Sequence, residues 1–121
     1  MKIALVGAGL AGKQHIHTIL NNKNCILDLI IDPSQEAYEL SKKLNTQYFS
    51  NIETALEKCR PDGAIIATPN SVHKKNAELF IKKKIPILIE KPLSSDIKSA
   101  LDIVIYAKKQ NIPVLTGHHR R

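Results

Sequence analysis

Tryptophan is absent from the 121 residues and aromatic side chains make up only 4%, which removes the stacking platforms that single-stranded nucleic acid needs. There are only two cysteines, Cys25 and Cys59, far apart and matching neither a C-x-x-C pair nor any metal spacing. They read as packing residues of a reducing, cytoplasmic compartment, and no metal site is expected. No apolar run reaches the ~18 residues of a membrane span. The apolar start MKIALVGAGLAG is interrupted by glycines, unlike a signal peptide. Acidic residues are scarce, 11 Asp and Glu against 18 Lys and Arg, for a net charge of +7. That balance suits an anionic cofactor and, less specifically, nucleic acid. The lysines, however, fall in short groups (Lys42-Lys43, Lys74-Lys75, Lys82 to Lys84, Lys108-Lys109) near the ends of predicted helices, where cations complement the helix dipole. No nucleic-acid or membrane partner is expected.

Glycine is scarce as well, five residues in all, yet three of them stand together in the segment GAGLAG. Gly7, Gly9 and Gly12 follow the apolar run IALV, where a first strand turns into a first helix. Twenty residues beyond Gly12, Asp32 ends a second strand, LDLIID. This is the dinucleotide-binding fingerprint in its proper context. Gly7 permits the tight turn, Gly9 lets the backbone approach a pyrophosphate, and Gly12 lets the helix pack close to the strand. The pyrophosphate is expected on the helix N-terminus, beside Leu10 and Ala11. Asp32, an ionised acceptor, suits two ribose hydroxyls and repels a 2′-phosphate, so NAD is predicted over NADP. The plainer alternatives are an ordinary strand-to-helix turn for the glycines and an N-cap for Asp32, since Pro33 and Ser34 follow it.

Strand and helix signals alternate throughout, which implies parallel strands joined by right-handed crossovers. The strand candidates are residues 3–6, 26–31, 47–49, 63–67, 87–89 and 114–116, mostly continuous apolar runs of the kind buried on both faces. Between them run helical stripes: Ile16, Ile19 and Leu20; Ala37, Leu40, Ser41 and Leu44; Ile52, Ala55, Leu56 and Cys59; Ala77, Phe80 and Ile81 in a helix over 71–83; and Ile97, Ala100, Leu101, Val104 and Ala107. Asn51, Asn70 or Ser71, and Ser94 or Ser95 are candidate caps, while Pro61, Pro86 and Pro113 stand where helices have ended. The prediction is one α/β domain over 1–121, a doubly wound Rossmann sheet of order 3-2-1-4-5-6 with helices on both faces.

Ligands of such sheets lie outside the carboxyl ends of the strands. There the sequence has Thr68-Pro69-Asn70 after strand four, Glu90-Lys91-Pro92 after strand five and Gly117-His118-His119-Arg120-Arg121 after strand six. With GAGLAG and Asp32, the segments ATPN followed by His73 and, above all, IEKPL make the chain similar to the amino-terminal domain of the Gfo/Idh/MocA oxidoreductases. The resemblance covers essentially the whole chain. It implies that Thr68, Pro69, Asn70 and His73 border the cofactor, that Glu90 contacts the nicotinamide ribose, and that Lys91 reaches the substrate pocket as the catalytic residue. A lysine beside a positively charged nicotinamide orients a substrate hydroxyl and eases its proton loss. A surface ion pair with Glu90 is the alternative for Lys91. His15 and His17 read as structural or solvated. His119 stands where the family has an asparagine, so its role and that of His118 stay open.

Members of that family carry a second, carboxy-terminal domain, built on a largely antiparallel sheet, that supplies most substrate contacts and much of a homo-oligomer interface. The chain is therefore expected to be the nucleotide-binding part of a larger dehydrogenase of sugars, polyols or related hydroxyl or carbonyl compounds, binding NAD without turnover by itself. Two rivals share the fingerprint: a stand-alone NAD(H)-sensing module, for which Glu90-Lys91-Pro92 has no use, and a methyltransferase, whose cofactor also carries a ribose.

Overall fold

Short aliphatic runs bounded by turn residues fold into six parallel strands. The computed structural model describes residues 1–68, 73–90, 109–112 and 114–117, with backbone alone at 10, 11, 73, 74, 90 and 115–117. The strands are β1 (Lys2–Val6), β2 (Ile26–Ile31), β3 (Gln47–Phe49), β4 (Gly63–Ile66), β5 (Ile87–Glu90) and β6 (Val114–Gly117). The helices are α1 (Leu10–Leu20), α2 (Gln35–Lys43), α3 (Ile52–Lys58) and α4 (His73–Lys82). The sheet order is β3-β2-β1-β4-β5-β6 and every pairing is parallel, as the sequence predicts. The fifth helical stripe and the caps proposed at 70, 71, 94 and 95 lie outside the described residues.

Alternation along β1 divides the core in two. Ile3 and Leu5 pack with Ile16, Ile19, Leu27, Ile30 and Ala37, the layer under α1 and α2. Ala4 and Val6 pack with Ile52, Ala55, Ala77, Phe80 and Ile81, the layer under α3 and α4. Both faces of the sheet are thus covered, which explains why its strands read as continuous apolar runs. Strand β2 shows one irregularity. Ile3 pairs with Leu27 but Ala4 with Leu29, so Asp28 is an extra residue that bulges from the ladder. Strict alternation would place Asp28 in the layer that Leu29 fills; the bulge keeps the carboxylate half-exposed and resets the phase of Leu29, Ile30 and Ile31.

Ser34 caps α2 by accepting from the Ala37 amide at 3.1 Å, and Asn51 caps α3 by accepting from the Thr54 amide at 2.8 Å. At their other ends, α2 and α4 give way to left-handed residues, Asn45 (φ 56°) and Lys84 (φ 64°). Arg60 reaches across to donate to the Lys83 carbonyl at 3.0 Å, a cation at the carboxyl end of α4.

Two expectations need correction. Leu20 does not join the stripe of Ile16 and Ile19: it is 56% exposed, because α1 stops there and Asn21 folds back onto the His17 carbonyl. Lys74 and Lys75 do not complement the dipole of α4, since they occupy its first turn, the end that disfavours cations. Both cysteines pack as expected, Cys25 against the layer under α1 and α2 and Cys59 against the layer under α3 and α4. No helix among the described residues is long and apolar enough to cross a membrane.

Phe80 is fully buried at the centre of the α4 layer. Phe80→Ala is expected to destabilise the domain by about 3–5 kcal/mol, read as a lower urea midpoint at unchanged slope.

Candidate functional site: the carboxyl rim of the sheet

The chain leaves β1 at Gly7, whose φ of +94° is a conformation that side chains rarely adopt. A Cβ on Gly7 would stand 2.8 Å from the Ala67 carbonyl oxygen and 3.0 Å from Thr68 Cγ2, so the turn lies directly against the end of β4. A Cβ on Gly12 would run into the carbonyl oxygen of Gly7. Gly9 is different: a Cβ there would meet nothing within 4 Å. Two glycines are therefore required by protein packing, while the third keeps one side of the turn clear. Gly9 is also the N-cap of α1 and makes no side-chain cap bond, and the helix has no acidic residue in its first turn. The leading amides of α1, at Leu10, Ala11 and Gly12, therefore receive no side-chain cap from Gly9.

Asp32 follows β2 and closes the turn from the side. Its Oδ2 accepts from the Ala8 amide and its Oδ1 from the Ser34 amide, both at 2.8 Å. The N-cap alternative falls, since Ser34 performs that task for α2. Burial raises the Asp32 carboxyl, but the Ala8 and Ser34 amides and the Ser34 hydroxyl outweigh it and hold the group below the usual carboxylate range. A carboxyl lowered by folding stabilises the folded state at every pH above its unfolded value of about 3.9, and that stabilisation disappears as pH falls through the lower folded value.

Beyond Asp32 opens a cavity of about 360 Å³ between the ends of β1 and β2 and the helices α3 and α4. Val6, Ile31, Pro33 and Leu79 give it apolar walls, and its polar edge includes two carboxylates, Asp32 and Glu53, one cation, Lys75, and the neutral groups of Asn51, Thr68 and Asn76. Asn76 Nδ2 donates to Thr68 Oγ1 at 3.0 Å, tying α4 to the end of β4. The misplaced first-turn lysine thus has a setting: Lys75 brings positive charge to the same cavity that holds the Asp32 carboxylate.

Of the residues predicted to form a site, Gly7, Gly9, Gly12, Asp32 and Thr68 meet at this rim. Leu10 and Ala11 contribute the backbone of the first turn of α1. His73 begins α4, and Glu90 ends β5 in register with Gly117. Pro69, Asn70, Lys91, His118 and His119 lie outside the described residues. Sequence reasoning passed over Ala8, Asn76, Lys75 and Tyr48, whose hydroxyl donates to the Asp32 carbonyl at 2.7 Å. Ala8 acts through a backbone amide, which no side-chain pattern reveals, and Asn76 lies one helical turn beyond His73 with no motif around it.

This geometry is that of a dinucleotide-binding Rossmann domain, and comparison with known proteins gives its family. The sequence model described as "Oxidoreductase family, NAD-binding Rossmann fold", GFO_IDH_MocA, matches residues 1–118. The chain belongs to the Gfo/Idh/MocA oxidoreductases. An inositol 2-dehydrogenase of Corynebacterium glutamicum (strain R) is 32% identical over 125 aligned positions, covering 100% of this chain and 37% of the relative. A 4-carboxy-2-hydroxymuconate-6-semialdehyde dehydrogenase of Sphingobium sp. is 25% identical, covering 100% of this chain and 39% of that protein. In three dimensions the chain is similar to the WlbA dehydrogenase from Bordetella pertussis, crystallised with NADH and UDP-GlcNAcA, with a TM-score of 0.91 at 22% identity over 96% of this chain and 36% of that one. This Gfo/Idh/MocA domain thus spans a little over a third of the length of these relatives, and membership sets aside the methyltransferase reading. His15 is half-buried in α1, and His17 is exposed with its ring nitrogen 3.2 Å from Asn21 Nδ2, in keeping with structural or solvated roles.

The two kinds of glycine separate stability from binding. Gly12→Ala is expected to cost about 1–3 kcal/mol of stability, whereas Gly9→Ala leaves the urea midpoint within about 0.5 kcal/mol of wild type and obstructs only what approaches the turn. For Asp32, acid titration of stability should show wild type losing more than Asp32→Asn as pH drops below about 4; parallel curves would mean that its carboxylate bonds contribute nothing.

Proposed function

We propose that this chain binds NAD in preference to NADP, as the nucleotide-binding part of a dehydrogenase that exchanges a hydride with a hydroxyl or carbonyl carbon of a sugar, polyol or related compound. The observation that carries the cofactor reading is the Asp32 carboxylate, held 2.8 Å from the Ala8 amide beside the open face of Gly9. Each carboxylate oxygen accepts one internal amide, which leaves acceptor capacity for two ribose hydroxyls. The residues present fit the cofactor. Backbone amides around Gly9 to Gly12 suit a pyrophosphate, and the cavity of about 360 Å³ is of the size that encloses a nucleoside.

On this reading Thr68, Pro69, Asn70 and His73 border the cofactor, and Glu90 takes the ribose nearer the nicotinamide. Lys91 reaches the substrate, orients its hydroxyl and helps remove the proton. The nicotinamide, when bound, supplies the hydride acceptor. The substrate class rests on what the relatives are called, an inositol 2-dehydrogenase and a semialdehyde dehydrogenase, and on the sugar nucleotide crystallised with WlbA. A second domain, homo-oligomers and a cytoplasmic setting belong to the same proposal, as does the lack of turnover by these 121 residues alone.

Calorimetry with the purified chain tests the cofactor reading. NAD is expected to bind more tightly than NADP, and Asp32→Ala to weaken NAD by about 10- to 100-fold, the size of one hydrogen bond to a charged group. Equal or tighter binding of NADP would overturn the preference. Steady NADH formation from any sugar or polyol by the isolated chain would overturn the claim that it lacks turnover.

A further inference from the structure

Asp32 owes its position to more than the two amides on its carboxylate. Its own amide donates to the Phe49 carbonyl at 3.0 Å, and its carbonyl accepts from the Tyr48 hydroxyl at 2.7 Å. The next residue, Pro33, has no N–H, so the peptide plane between Asp32 and Pro33 has no donor of its own to hold it. The tie to that plane is the hydroxyl on β3. Tyr48 is itself braced: its ring meets Tyr38 of α2 edge-on, centroids 5.3 Å apart at 77°, and Lys42 Nζ stands 5.3 Å from the Tyr38 ring centroid.

We propose that Tyr48 is a positioning residue that, by tying the Asp32 carbonyl, fixes the carboxylate beside the glycine turn and so sets the preference for a free ribose 2′-hydroxyl over a 2′-phosphate. The inference rests on the NAD reading above and assigns its selectivity to a residue that does not touch the cofactor. To admit a 2′-phosphate, Asp32 must swing away, which breaks its bonds to Ala8 and Ser34. Rotation of the Asp32–Pro33 peptide plane would let backbone and side chain move together at lower cost. The Tyr48 hydroxyl blocks that rotation from outside the cavity. Discrimination therefore depends on stiffness as well as charge: a mobile carboxylate repels a phosphate less because it retreats into solvent.

Tyr48→Phe keeps the ring against Tyr38 and removes only the tie. Calorimetry of the 121-residue chain should show NAD weakened about three- to tenfold, the worth of one neutral hydrogen bond, with NADP unchanged or tighter. The NAD to NADP affinity ratio then falls by at least that factor. In the cofactor-free protein, hydrogen exchange at the Ala8 amide should quicken by a similar factor while the amides of β1 keep their wild-type rates. An unchanged affinity ratio overturns the proposal, as does uniform acceleration across β1, the mark of a merely structural role. Should Tyr48→Phe fail to fold, Tyr38→Leu removes the brace and should move both readouts in the same direction by about twofold; no movement overturns the proposal. A wild-type chain that binds NAD and NADP alike overturns the underlying reading instead, a result obtained before any variant is made.

Discussion

The bond between the Asp32 carboxylate and the Ala8 amide is the constraint on which the rim depends. It joins the end of β2 to the turn after β1, extending by one residue the tie that the Gly7 amide makes to the Ile31 carbonyl at 2.9 Å. The turn has little freedom of its own, since Gly7 is pressed against Ala67 and Thr68 and Gly12 against Gly7. Asp32 therefore locks a backbone that packing has already shaped, and the shaped backbone in turn holds the carboxylate below its ordinary proton affinity. A fixed acceptor bonded to the turn that opens α1, at the positive end of the helix dipole, is a pairing of opposite polarities. Such a pairing suits a ligand with a negative diphosphate next to neutral hydroxyls.

The sheet makes this geometry possible by controlling phase. In a parallel ladder each residue's face follows from its count along the strand, so the bulge at Asp28 decides which way the rest of β2 points. Without it, Leu29 and Ile31 would fall out of the layer that they share with Val6 and Phe80. The same bulge brings β2 to its end with Asp32 beside Ala8. One polar residue near the start of the strand thus sets where a functional side chain emerges at its far end, and the core provides the energy that enforces the arrangement.

Most strands were legible because burial on both faces leaves a near-continuous apolar run, as in β1 and β4, and the sheet order followed from the alternation of strands with helices after the glycine fingerprint. The Asp28 bulge was not legible, since ILDLII reads equally well as a regular strand and only its register against β1 shows that Asp28 is an extra residue. Exposure of Leu20 was hidden for a related reason: periodicity continues past the residue at which a helix runs out of sheet to cover it. Within the site, the sequence pattern delivered residues whose side chain, or lack of one, shapes the rim: Gly7, Gly9, Gly12, Asp32 and Thr68. It was silent on Ala8, which acts through its amide, and on Tyr48, whose hydroxyl meets Asp32 only because β3 lies beside β2.

The rim divides into one end built from the turn after β1, Asp32, Thr68 and the start of α4, the end assigned to the adenosine on the proposed function, and a far end marked by Glu90 on β5. The side-chain bonds described at the first end, Asp32 to Ala8 and Ser34, Tyr48 to Asp32 and Asn76 to Thr68, join residues 8 to 76, while β5 supports that end by pairing with β4 and packing under α4. On the proposed function this separation has a mechanistic sense. Binding energy gathered at a part of the cofactor that does not react holds the reacting ring in place near Glu90 and Lys91, and interactions far from the chemistry thereby lower the cost of aligning it. A rigid Asp32 serves that purpose better than a strong but mobile one, because slack at the ribose would be passed along the diphosphate to the nicotinamide.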